Sequence, residues 1–166
     1  MNSGFFTQSI GQLGFVVENL EKTIEAYSTQ WQTYNWQLYT YGPQNLQFMH
    51  YHGHPTSYTI KVGLGYIGNT RIELIQNLEG KTVYTDHIEY HGYGLHHLGI
   101  YVQDKDAALN EIQSQGFHVI MDGGGQGLDG DGYFGYLNTE ATLGVIYEII
   151  QRPKRRPEPE KVFTSC

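Results

Sequence analysis

The sequence predicts an α+β fold made of two successive units with the same plan. Two pairs of matching segments indicate the repeat: Gln12-Leu13-Gly14-Phe15 returns as His97-Leu98-Gly99-Ile100, and Ile72-Glu73-Leu74-Ile75-Gln76 returns as Tyr147-Glu148-Ile149-Ile150-Gln151. Each unit therefore begins with a strand that carries a polar residue and ends with a strand that carries a glutamate. Packed together, two such units would bring four polar residues to one place.

The first unit, module one, covers about residues 8–78 of the chain. Its first strand spans residues 12–18, and Asn19 is a suitable N-cap for a helix that ends near Gln30. Leu20, Ile24 and Tyr27 recur at helical spacing and form the apolar face of this helix. Strand-forming residues then predict three further strands, at residues 34–41, 58–67 and 70–76.

The second unit, module two, covers about residues 95–151 and repeats this order. A strand at residues 97–102 precedes a helix that is capped by Asp104, carries Ala108 and Ile112, and is stopped by Gly116. The remaining predicted strands span residues 117–121, 133–137 and 144–150. Arg152-Pro153 is expected to end the fold and to leave residues 152–166 as a solvated tail.

The composition describes one domain that can bury a sizeable core. The chain has 166 residues, of which 39% are hydrophobic. A formal charge of −7 and the lack of a basic stripe argue against nucleic-acid binding. One cysteine, Cys166, allows no disulfide within the chain. No apolar run reaches membrane-spanning length and no secretory signal pattern is present, so we expect a cytoplasmic protein without a membrane partner.

Four polar residues interrupt otherwise apolar strands: Gln12, Glu73, His97 and Glu148. A carboxylate in a buried strand is costly unless it is paired, protonated or bound to a metal. One imidazole, two carboxylates and an amide oxygen suit one divalent ion such as Zn²⁺, Ni²⁺, Co²⁺, Mn²⁺ or Fe²⁺. Because neighbouring strand residues face opposite sides, His96 is expected to face away from this site.

With these features the chain resembles the vicinal oxygen chelate superfamily, which includes glyoxalase I and methylmalonyl-CoA epimerase. The resemblance extends from about Ile10 to Gln151. It implies paired βαβββ modules that form a half-open, curved mixed sheet around one metal ion. The implied metal ligands are Gln12, Glu73, His97 and Glu148. Family members are often dimers, so the resemblance also implies a homodimer.

The resemblance implies a metal-dependent isomerase, epimerase or lyase that transfers a proton on the carbon next to a carbonyl. The metal acts as a Lewis acid on the resulting enolate, and a carboxylate removes or returns the proton. Glu148 is the predicted base, with Glu73 on the opposite side of the metal. The partner is a small-molecule carbonyl substrate, and tyrosine-rich walls with few cations favour an apolar or neutral one.

Motifs of both enzymes occur in the chain. The ligand set resembles one branch of glyoxalase I, and Asn77 stands where glyoxalase I has an asparagine that touches glutathione. Gly94-Leu95-His96-His97, in contrast, resembles the epimerases. Val16 and Tyr93 occupy the places of two glutathione-binding arginines, and the second acid/base glutamate of the epimerases has no counterpart. The choice between epimerase and lyase therefore stays open.

Two further functions of the same fold are alternatives. The first is a non-catalytic ligand-binding or resistance-type protein, and retention of all four polar positions argues for an enzyme instead. The second is an extradiol-type dioxygenase, which needs two histidines and one carboxylate around iron. Gln12 replaces the first of those histidines, so the dioxygenase ranks last.

The other histidines and the glycine-rich stretch have weaker claims to a function. His50, His52 and His54 alternate and would share one face of a strand, although their polar, Gly- and Pro-flanked setting favours a mobile loop. His87 and His91 are interpreted as surface residues on one helical turn. Residues 122–132 lack a nucleotide-binding signature and are interpreted as a flexible lid or rim over the pocket.

Overall fold

The computed structural model describes residues 4–5 and 8–164, which form a single eleven-stranded mixed sheet and four helices. Cys166 lies outside these residues. In chain order the strands are β1 (Ile10–Val16), β2 (Trp36–Tyr41), β3 (Phe48–Tyr51), β4 (His54–Pro55), β5 (Thr59–Ile67), β6 (Thr70–Glu79), β7 (Gly94–Tyr101), β8 (Val119–Gly124), β9 (Tyr133–Leu137), β10 (Ile146–Gln151) and β11 (Lys161–Phe163). The helices are α1 (Leu20–Trp31), α2 (Val83–His91), α3 (Lys105–Ser114) and α4 (Glu140–Leu143). No helix in the described part is long and apolar enough to cross a membrane.

The strand order confirms the two-module prediction. The sheet runs β11-β2-β5-β6-β1-β7-β10-β9-β8-β3-β4, and the modules join where β1 pairs antiparallel with β7. Within each module the first strand is parallel to the last, β1 to β6 and β7 to β10, whereas the other pairs are antiparallel. The result is the curved, half-open sheet expected for paired βαβββ modules.

The two long helices cover one face of this sheet. The predicted caps are confirmed: the side chain of Asn19 accepts a hydrogen bond from the backbone of α1, and that of Asp104 does so for α3. Leu20 and Ile24 of α1 pack in one cluster with residues of β2 and β6, and Ile112 of α3 packs with residues of β9 and β10. Since strand residues alternate, the residues between those in the helix-facing clusters point to the opposite face, where the site lies.

Residues 44–55, interpreted as a mobile loop, instead form part of the sheet. The β3–β4 hairpin pairs with β8 and turns at His52 and Gly53, both of which have positive φ. His50 and His54 therefore lie on two paired strands and do not share one face of a single strand. The Nδ1 atom of His50 is 2.8 Å from Oδ1 of Asp122, so this histidine helps hold the hairpin to β8.

The prediction that the fold ends at Arg152-Pro153 is wrong. The tail runs back along the molecule and adds β11 antiparallel to β2 at the far edge of the sheet. On its way it is tied to the glycine-rich stretch: Arg155 forms an ion pair with Asp129, and the backbone of Lys154 bonds to Asp131. The start of the tail is thus bound to the fold, because the Arg155 side chain and the Lys154 backbone contact acidic residues that are distant in sequence.

Candidate metal centre

The four polar residues predicted as ligands come together on the face opposite to α1 and α3. Gln12 lies on β1, Glu73 on β6, His97 on β7 and Glu148 on β10. These strands are the four adjacent central strands of the sheet, in the order β6-β1-β7-β10. The site therefore lies across the junction of the modules, with one first-strand residue and one last-strand glutamate from each.

The polar ends of these side chains lie within hydrogen-bonding range of one another. Nε2 of His97 is 3.0 Å from Oε2 of Glu148 and 3.3 Å from Oε2 of Glu73. Nε2 of Gln12 is 3.1 Å from the same atom of Glu73 and 3.3 Å from that of Glu148. Three of the residues are almost fully buried, and the Glu73 side chain is 13% exposed. Two carboxylates in so little water must be protonated, paired with a cation or bound to a metal.

This arrangement fits a divalent metal ion. Bonds of about 2.0–2.2 Å from an ion to N and O ligands place neighbouring ligand atoms roughly 3.0–3.5 Å apart, which is the spacing found here. In addition, Nε2 of His97 is buried and makes no hydrogen bond of acceptable geometry within the described structure, although both carboxylates are close. A cation between these atoms would satisfy all of them at once.

Gln12 can also direct an oxygen toward an ion if its side-chain amide is rotated by half a turn. Its Oε1 now accepts a hydrogen bond from the hydroxyl of Tyr101 at 3.1 Å, and its Nε2 faces the carboxylates. An ion would require the oxygen on the carboxylate side. The amide nitrogen could then donate to Tyr101, because a phenolic oxygen both donates and accepts.

The two carboxylates also shift the pKa values of the ionisable groups in this cluster. Burial lowers the pKa of His97, but Glu148 and Glu73 raise it more, to about 9. Burial raises the pKa of Glu148, and the charge of Glu73 adds to this effect. Without an ion the cluster thus retains a proton near neutral pH, and metal binding would displace it.

A β-bulge at His96 overturns the expectation that this residue faces away from the site. Gly14 pairs with His97 but Phe15 pairs with Leu95, so His96 is the extra residue on β7. The bulge breaks the alternation, and Nδ1 of His96 lies 2.9 Å from Nδ1 of His97. His96 is therefore a buried partner that orients the ring of His97 so that its Nε2 faces the carboxylates.

Two glycines that were not predicted to matter make room for two of the predicted ligands, Gln12 and His97. Gly14 lies opposite His97 and Gly99 lies opposite Gln12 in the β1–β7 pairing. A Cβ on Gly14 would overlap the imidazole of His97, and one on Gly99 would lie 3.0 Å from Cβ of Gln12. The repeat in the sequence already indicated these glycines, because each predicted ligand on a first strand is followed two residues later by a glycine.

We expect Gly14→Ala to reduce metal binding and to destabilise the fold. Gly14 has an ordinary backbone conformation, so the added methyl acts only through its overlap with His97. Overpacking of this kind costs about 1–3 kcal/mol and should displace the imidazole. Metal content and thermal unfolding measure the two effects. Gly53→Ala, which has open space around its Cβ but positive φ, separates backbone strain from ligand displacement; metal loss in that variant as well would contradict the argument.

A pocket of about 490 Å³, counted out to its open mouth, lies over the cluster. Three of the four predicted ligands line it, the buried His97 being the exception. Its wall includes Tyr84 and Tyr136, whose hydroxyls are 2.7 Å apart and whose pKa values are raised well above 10 by burial. These phenols stay neutral and can donate hydrogen bonds.

The structure adds one pocket residue that sequence reasoning placed elsewhere, Arg156 from the tail. Gln126, from the glycine-rich stretch predicted to form a rim, lines the pocket as well. Asn77, predicted to touch substrate, does not line it: its side chain bonds to the backbone of Gly80 and to the hydroxyl of Thr82, the N-cap of α2. The position of Arg156 depends on long-range contacts, whereas the bonds of Asn77 are local and belong to the turn before α2.

Two modules that share one sheet, with four inward-facing polar residues at their junction, are the architecture of the vicinal oxygen chelate class. The chain belongs to the glyoxalase/bleomycin resistance protein/dioxygenase superfamily, whose sequence model matches residues 11–136. A search of curated proteins found no match. The identification therefore rests on the family match and on the fold.

Solved structures support the same fold assignment at low identity. Methylmalonyl-CoA epimerase from Mycobacterium tuberculosis is 18% identical with a TM-score of 0.61, over 93% of this chain and 94% of that one. A variant of the Streptomyces coelicolor methylmalonyl-CoA epimerase in complex with 2-nitronate-propionyl-CoA is 17% identical with a TM-score of 0.62, over 90% and 98%. A hypothetical protein from Bacillus halodurans C-125 is 19% identical with a TM-score of 0.60, over 92% and 99%.

Proposed function

We propose that this protein is a metal-dependent isomerase or epimerase that transfers a proton on the carbon next to a carbonyl. The observation that supports it is the pair of carboxylates, Glu73 and Glu148, which converge on His97 and line one pocket. A proton donor and acceptor beside the same substrate carbon is what such a reaction needs. A glyoxalase I-like lyase would use the same proton transfer. Identifying the substrate therefore distinguishes an isomerase or epimerase from a lyase.

Each residue has a distinct part in the proposed reaction. A divalent ion held by Gln12, Glu73, His97 and Glu148 would supply Lewis acidity next to the substrate carbonyl. Glu148 is the base: burial favours its neutral form, so it can hold the proton that it removes. Glu73, whose side chain is the more exposed of the two, can return a proton from the other module's side. Tyr84 and Tyr136 close the wall and limit access of water.

Deuterium exchange at the substrate α-carbon tests this proposal. Protein loaded with Zn²⁺, Co²⁺ or Ni²⁺ is incubated in D₂O with 2-substituted acyl-CoA thioesters such as methylmalonyl-CoA, and in parallel with glutathione hemithioacetals. We expect exchange that depends on the metal and disappears with a chelator. Metal-loaded protein that exchanges no α-proton in either class would contradict the proposal and favour a ligand-binding role.

Arg156 gives the pocket a cationic group that the sequence analysis had placed in solvent. Burial raises the pKa of Tyr41 to about 12, and the charge of Arg156 opposes that rise. Both side chains line the pocket. A substrate with a carboxylate next to its reacting carbon therefore has a partner, which revises the expectation of a neutral substrate.

We expect Arg156→Gln to raise KM for a thioester that carries a free acyl carboxylate by about 10–100-fold, since a hydrogen bond to a charged group contributes about 1.5–3 kcal/mol. KM for a thioester without that carboxylate should change little. Steady-state kinetics on both substrates measure the difference. Lys154→Gln, which removes an exposed charge from the same tail, is the control, and equal changes for both substrates would rule out this pairing.

A further inference from the structure

A second cluster of metal-binding side chains lies outside the pocket. α2 carries His87 and His91, which are four residues apart and therefore face the same side of the helix. α4, in the turn between β9 and β10, brings Glu140 against them from the other module. One ligand atom from each of the three residues lies within 4.8 Å of the others.

The contacts within this cluster leave one imidazole nitrogen, Nδ1 of His87, without a partner in the described structure. Nε2 of His91 is 3.1 Å from Oε1 of Glu140, which is an ordinary surface contact. The His87 ring lies beside that of His91, with centroids 4.9 Å apart. However, Nδ1 of His87 is shielded from solvent and has no hydrogen-bond partner among the residues that the structure describes. The ion pair therefore explains why His91 and Glu140 lie together, but it gives no partner to the buried nitrogen of His87.

We propose that His87, His91 and Glu140 form a second metal site for a borderline divalent ion such as Zn²⁺. Two imidazoles and one carboxylate are a set that zinc accepts, with a fourth position open for water. Mg²⁺ and Ca²⁺ prefer oxygen ligands throughout, so this set disfavours them. The His91 and Glu140 side chains are about half exposed, so an ion can enter from solution without any opening of the fold.

The position of this site indicates a structural role. α2 belongs to the connector between the modules, whereas α4 belongs to module two. An ion bound by both would tie the connector to the β9–β10 turn. The His87 ring also contacts His96, with centroids 5.0 Å apart, and His96 orients His97. The second site is therefore next to the residues that position the first, although it shares no ligand with it.

Zinc stoichiometry in single-site variants tests the proposal. Protein without a histidine tag is stripped with a chelator and titrated calorimetrically at micromolar free Zn²⁺, with bound metal counted by mass spectrometry. We expect two equivalents in the unaltered protein, one in His91→Ala, one in His97→Gln and none in the double variant. Glu140→Gln should weaken the second site at least tenfold. His118→Ala, which removes an exposed histidine elsewhere, should keep both equivalents.

A second measurement separates this site from the central one. In the His97→Gln background, Zn²⁺ should raise the melting temperature, because an ion that binds only the folded state stabilises it. Adding His91→Ala should remove that rise. A His97→Gln variant that binds no zinc, or whose zinc binding is unchanged by loss of His91, would overturn the second site whatever the outcome at the central site. Circular dichroism confirms that the variants remain folded.

Discussion

Replacing His97 by glutamine should abolish tight binding of a divalent ion at the central site. Among the four proposed ligands only His97 offers an imidazole nitrogen, and it contacts the carboxylates of both Glu73 and Glu148. We expect affinity to fall more than about 100-fold, since even the outer partners of a metal ligand are typically worth about 10–100-fold. Competition titration with a zinc-sensitive dye, done in the His91→Ala background, measures this site alone.

The glutamine keeps the size and polarity of the side chain, so the fold should survive the change. His50→Gln is the matched control, because His50 also contacts a carboxylate, that of Asp122, but lies on β3, far from the four central strands. That variant should bind metal as the unaltered protein does. Undiminished affinity in His97→Gln would show that the ion, if any, is held elsewhere, and the proposed reaction would lose its site.

Replacing Glu148 by glutamine should abolish α-proton exchange while leaving part of the metal affinity. The amide keeps an oxygen for the ion but cannot accept a proton at neutral pH. The loss of a positioned base typically costs about 10²–10⁴-fold in rate, and we expect a decrease in exchange rate of that size. Deuterium incorporation followed by proton NMR, at saturating metal, measures it.

Glu79→Gln is the matched control for this variant, because Glu79 is an exposed glutamate at the end of β6. It should exchange protons at the rate of the unaltered protein. If Glu148→Gln retains that rate, Glu148 is not an obligatory base. Glu73→Gln would then be examined as the base in the same assay.

Local sequence patterns accounted for most of the architecture. The repeat predicted the two modules, because units with the same hydrophobic plan bury the same faces. The caps Asn19 and Asp104 were predictable because a capping side chain bonds to the backbone of its own helix within a few residues. The polar strand residues Gln12 and His97 could be paired through the repeat alone, and the structure does place them together.

Long-range contacts decided the parts that sequence reasoning missed. The β3–β4 hairpin and β11 are short strands that form only because an edge of the sheet is available to pair with them. Their residues show little strand periodicity of their own. The cluster of His87, His91 and Glu140 is similar, since its third member lies far along the chain from the other two.

By itself, the sequence determined the two-module α+β plan, the strands that carry the four polar residues, and the chemistry that such a set allows. Only the tertiary structure decided which side chains surround that set. The bulge at His96 brings a second imidazole to His97, Gly14 leaves space for the His97 ring, and the returning tail adds Arg156 to the pocket. The physical reason is that periodicity reports which face of an element is buried, whereas bulges, close approaches and edge pairing depend on neighbouring strands.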